Sequence, residues 1–120
     1  MANRAYLLAH EFPHPLSPRE GESFQLLAAN YQLPIMWLTL FVAGDRLTVM
    51  AAGEDEDGKP IEDVVPTLLT PSSAGIRRSV ARAVTVRSVL PSALHVHIDE
   101  WLRFLSTVTA PYLQLDSFEI

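Results

Sequence analysis

All four histidines of this chain fall in two short stretches, and both stretches carry metal-ligand spacings. The first, His10-Glu11-Phe12-Pro13-His14, spells the zinc-protease pattern His-Glu-x-x-His. That pattern works on a helix, which puts residues i and i+4 on one face with the glutamate beside the ion. Here Pro13 lies between the two histidines, and Pro15 and Pro18 follow. Proline removes a helix donor and pushes the residue before it out of the helical region. Glu11 to Ser17 therefore reads as an extended or turning loop, and the protease chemistry is lost.

The second stretch, His95-Val96-His97-Ile98-Asp99, has the His-x-His-x-Asp spacing of hydrolase metal sites. Residues i and i+2 share one face of a strand but diverge by about 200° around a helix. Leu94, Ile98, Trp101, Leu102, Leu105 and Val108 repeat at helical spacing, so His95 and His97 should splay apart. A composite site remains as an alternative, in which His10, Glu11 and His14 meet His95, His97 or Asp99 around a hydrolytic metal. Asp55, Asp57 and Gly58 suggest part of a calcium loop. Aligned on Gly58, however, the first and twelfth ligands would be Gly53 and Val64, and neither side chain is a donor. The sequence thus assigns no catalytic residue, no metal site and no cofactor.

Charge is segregated more clearly than chemistry. Residues 54–63 hold six of the fourteen acidic groups, with Glu54, Asp55, Glu56 and Asp57 in an unbroken run. Arg77, Arg78, Arg82 and Arg87 are four of the nine basic residues. Solvated surface accounts for both patches. The sharper reading makes Glu54, Asp55, Glu56, Asp57, Arg77, Arg78 and Arg82 a protein-binding surface, with the acidic turn steering a basic partner. The partner is then another protein or a second copy of the chain.

A chain of 120 residues forms one domain, 1–120. Its hydrophobic fraction of 48% is that of a globular protein. A net charge of -5 disfavours nucleic acid and anionic lipid as partners. Cysteine is absent, which excludes disulfides and thiol catalysis and suits the cytosol. The longest apolar run, Leu33 to Ala43, is too short to span a membrane, and the start does not read as a signal peptide. The end, Phe118-Glu119-Ile120, is expected to dock, to pair with another copy or to have been trimmed.

The elements that must position these groups follow from periodicity. Strands are expected over 4–9, 46–52 and 112–115, with 61–65 returning against 46–52 until Pro66, while 23–31 fits strand or helix and is read as a strand. Pro34 suits the first position of a buried helix running to about residue 43. Ser72 or Ser73 should cap a helix to Val89 with Ile76, Val80, Ala83 and Val84 on its inner face, and Ser92 should cap the last helix. The fold expected is α+β: a small, mostly antiparallel sheet packed against one buried central helix and two C-terminal helices.

The opening Met1-Ala2-Asn3-Arg4-Ala5-Tyr6-Leu7 and the stretch Leu33-Pro34-Ile35-Met36-Trp37-Leu38-Thr39-Leu40-Phe41 resemble an uncharacterised bacterial protein family. His97-x-x-Glu100-Trp101 and Tyr112-Leu113-Gln114-Leu115-Asp116 extend the likeness over most of the chain. The resemblance implies a bacterial cytosolic protein and transfers no catalytic residue. Families of this kind sometimes sit among toxin–immunity systems, so it adds an immunity or inhibitor context to the protein-binding reading.

Overall fold

A computed structural model describes residues 4–30, 34–54 and 57–118. Among these residues five strands form one sheet: β1 (Arg4–His10), β2 (Gln25–Asn30), β3 (Arg46–Glu54), β4 (Pro60–Pro71) and β5 (Tyr112–Phe118). Their order is β2-β1-β5-β4-β3, and every neighbouring pair is antiparallel. Among the described residues the α-helices are α1 (Pro18–Gly21), α2 (Ile35–Leu38), α3 (Ser72–Val89) and α4 (His95–Leu105). The protein is therefore α+β with a small antiparallel sheet, as the periodicities predict.

Alternation along the strands sorts side chains onto two faces. Ala5, Leu7, Leu113 and Leu115 face one side, where they pack with Trp37, Leu40, Phe41, Trp101 and Leu105. This is the main core, and α4 contributes the Ile98, Trp101 and Leu105 stripe that its spacing predicts. The residues between them in β1 and β5, from Leu8 and His10 to Gln114 and Asp116, lie on the other face. There the segment between β1 and β2 folds back as a strap.

Three expectations need correcting. The central helix is a single turn, Ile35–Leu38, not a helix over 34–43; Trp37 is buried, but Ile35 is 63% exposed. The reason lies in the carbonyls. Arg82 Nη1 donates to Thr39 O (3.0 Å) and Phe41 O (2.6 Å), and Arg78 Nη1 to Leu40 O (3.1 Å). Guanidinium groups from α3 thus satisfy the carbonyls exposed where the chain leaves the helix, which lets it end after one turn.

The inner face of α3 also differs. Ser72, Gly75, Ser79 and Ala83 are buried there, while Val80 and Val84 are exposed. Small residues let the helix approach the α2 turn closely, and the hydroxyl of Ser79 bridges Thr39 Oγ1 (2.5 Å) and Trp101 Nε1 (2.8 Å). Hydrogen bonding and close approach, not apolar area, decide which face turns inward.

β4 runs through Pro66, where the sequence suggests that pairing stops. Its prolines mark changes of partner. Pro60 begins it, Pro71 ends it, and Pro66 stands next to Thr67, where the ladder to β5 begins. A missing N–H is tolerated where one flank of a strand is open. From Pro60 to Pro66, β4 pairs with β3 alone among the described residues, which makes a two-stranded arm about 20 Å long. The molecule measures 51 × 28 × 24 Å. Its radius of gyration is 15.5 Å, against about 13.6 Å for a compact domain of this length.

Candidate functional site

The two histidine clusters lie on opposite sides of the sheet. His10 ends β1 on the strap face, whereas α4 carries His95 and His97 on the core side. The composite arrangement considered from the sequence is thus not brought together, and no group of three metal-ligating side chains occurs among the described residues. His95 Nε2 reaches Leu90 O (3.1 Å) at the end of α3, and His97 lies 3.7 Å from Glu100 on the exposed surface. Asp99 is paired with Arg87, whose guanidinium holds its carboxyl below the usual range. Glu11 and His14 are exposed on the loop, with His14 against Phe12.

His10 anchors a buried polar chain instead. The Phe12 N–H donates to His10 Nδ1 (3.2 Å), so the ring proton belongs on Nε2. Nε2–H then donates to Gln114 Oε1 (2.9 Å). With both nitrogens engaged and only 2% of its surface exposed, His10 has neither a lone pair nor a proton left for a metal or a substrate. Phe12, Phe24 and Tyr112 surround the ring.

Gln114 is the hub. Its Oε1 also accepts from Leu16 N–H (2.9 Å), and its Nε2 donates to Leu16 O (2.9 Å) and Asp116 Oδ1 (2.9 Å). The carboxamide pairs with the Leu16 peptide as a neighbouring strand would, and this seats the strap on the sheet. Thr67 Oγ1 lies 2.6 Å from Asp116 Oδ1 and 3.0 Å from Leu115 O, and its single proton goes to the shorter contact. Burial pushes the Asp116 carboxyl above its ordinary range, with the Thr67 and Gln114 hydrogen bonds opposing. A cleft of about 200 Å³ between Tyr6, Pro18, Glu22 and Gln25 reaches Asp116.

The strap has its own local logic. Ser17 caps α1: its Oγ accepts from Glu20 N–H, and Glu20 Oε1 accepts from Ser17 N–H. These same bonds hold Glu20 below its usual range, the backbone bond most. At Gly21 a side chain would meet Leu8 Cδ1 at 2.8 Å, so glycine lets this turn lie on the sheet. Sequence reasoning misses Gln114, Asp116 and Thr67, because alternation in β5 marks Gln114 and Asp116 as solvent-facing. The only available signal is the proline-rich loop, long enough to cover them.

The charged patches have different fates. Arg78 is engaged within the chain by Asp45 (2.8 Å) and Leu40 O, and Arg82 by the carbonyls at the end of α2. Arg77 is exposed on α3. Glu54 closes β3 at the far end of the arm, and Asp57 follows on the exposed turn. Asp55 and Glu56 lie outside the described residues. Gly58 has a φ of +77°, the left-handed conformation that glycine supplies to a reversing chain. Glu54 and Asp57 therefore lie at the end of a projecting arm, and Arg78 and Arg82 brace the body.

Searches against family models, curated proteins and solved structures gave no match for the chain. Geometry alone carries the functional reading.

Proposed function

We propose that the chain is a non-enzymatic protein-binding module that presents an acidic arm tip to a basic surface of a partner protein. One observation carries this: Glu54 closes β3 and Asp57 follows on the exposed turn at the end of a two-stranded arm beyond the five-stranded body, and both belong to the sequence run Glu54, Asp55, Glu56, Asp57. Charge concentrated at a projecting tip raises the rate of encounter with an opposite charge and orients the approach. The internal use of Arg78, Arg82 and His10 supports the reading, since it commits these three groups to the fold. An inhibitor or immunity role fits such a module. The resemblance to a bacterial family and the lack of cysteine point to the cytosol of a bacterium. No helix among the described residues is long and apolar enough to cross a membrane.

The test compares proteins retained from a bacterial extract by the immobilised chain and by a variant with Glu54, Asp55, Glu56 and Asp57 all changed to Lys. Association rates for each retained protein are then measured across a salt series. Basic partners that the variant loses, with on-rates falling as salt rises, support the reading. Identical retention and salt dependence by both chains overturns it.

A further inference from the structure

The two edges of the sheet are not alike. β2 is six residues long, and its pairing with β1 is broken by a register shift at Leu7/Leu8. β3 is nine residues long and holds one register from Arg46↔Leu68 to Glu54↔Pro60. It contains no proline and no lysine, and its only charges are at its two ends. Long regular edges invite pairing, and proteins blunt those that must stay single.

The β3 sequence Arg-Leu-Thr-Val-Met-Ala-Ala-Gly-Glu is complementary to itself when reversed. Set antiparallel about Met50, Arg46 meets Glu54, Leu47 meets Gly53, Thr48 meets Ala52 and Val49 meets Ala51. Opposite charges face each other at both ends, Met50 meets its own copy at the centre, and a larger residue faces a small one at the positions between. Arg46 and Leu47 are exposed at this edge.

We infer that β3 pairs antiparallel with β3 of a second copy, in the register that centres Met50 on the two-fold axis, to give a continuous ten-stranded sheet. Backbone hydrogen bonds along the edge supply affinity, and the two Arg46–Glu54 pairs fix the register. This inference shares Glu54 with the arm tip but rests on the β3 edge and not on the partner-binding role. A dimer without a basic partner, or a partner-binding monomer, would separate the two.

The absence of cysteine makes the register directly readable. In an antiparallel pair, facing Cα atoms lie about 4.5–5.5 Å apart, within disulfide reach. Met50→Cys should therefore give a covalent dimer on mild oxidation. Leu47→Cys should not, because two copies of residue 47 would sit about 20 Å apart. Sedimentation of the unaltered chain from about 1 µM to 1 mM should show a dimer. Arg46→Glu should raise its Kd about tenfold, and the added swap Glu54→Arg should restore it. A monomer throughout the range, cross-linking at residue 47 as readily as at 50, or a single variant that dimerises unchanged would overturn the inference.

Discussion

Replacing Gln114 by leucine should detach the strap from the sheet. Leucine fills a similar volume, so the cost is polar and not a cavity. Gln114 makes hydrogen bonds to His10, to Leu16 N–H, to Leu16 O and to Asp116, each 2.9 Å long and all buried. At a net ~1 kcal/mol each, the loss is about 4 kcal/mol. Asp116 keeps Thr67 as a donor, but the Leu16 peptide groups and His10 Nε2–H are left without a partner unless the strap lifts into water. Lifting recovers part of that cost and gives up the burial of Leu16. The expected destabilisation is about 3–5 kcal/mol, a drop in Tm of roughly 12–20 °C. Urea unfolding followed by the fluorescence of Trp37 and Trp101 measures it, and hydrogen exchange of Leu16 reports the strap itself. A loss below about 1 kcal/mol with Leu16 exchange unchanged would refute the claim that Gln114 holds the strap.

Other outcomes follow from the same structure. Because burial raises Asp116 in the folded state, the native protein holds a proton that the unfolded chain releases from about pH 4 upward. The stability this proton contributes is present at the acid end and is lost as pH rises through the raised value. Asp116→Asn should remove that downward slope while keeping an acceptor for Thr67 and Gln114; identical pH profiles for both proteins would count against it. Gly75→Ala should destabilise the protein by about 1–3 kcal/mol, although alanine is the better helix former by about 1 kcal/mol. The added carbon would meet Thr70 Cγ2 at 2.9 Å and the Leu40 carbonyl at 3.2 Å, and backbone cannot step aside. A stabilised variant in chemical denaturation would show that α3 can shift outward.

Much of the architecture is legible in the amino-acid order because apolar spacing is a local property. The α4 stripe of Ile98, Trp101 and Leu105, the short strands and the proline-broken histidine loop all follow from periods of 3.6 and 2 and from a missing N–H. The inner face of α3 is not legible in the same way. Ser79 and Gly75 look like surface residues until Thr39, Trp101 and Leu40 stand against them. The arginines of α3 read as free charge, yet Arg78 and Arg82 end a helix that belongs to another part of the chain.

The residue order by itself determined the α+β class, the absence of thiol chemistry and the clustering of negative charge over 54–57. Only tertiary structure decided that His10 is spent on Gln114, that His95 and His97 lie across the sheet, and that Glu54 and Asp57 lie at the end of a projecting arm. The physical reason is that periodicity reports which side of an element is apolar. Hydrogen-bond partners more than a hundred residues apart, such as His10 and Gln114, exist only once β1 and β5 lie side by side.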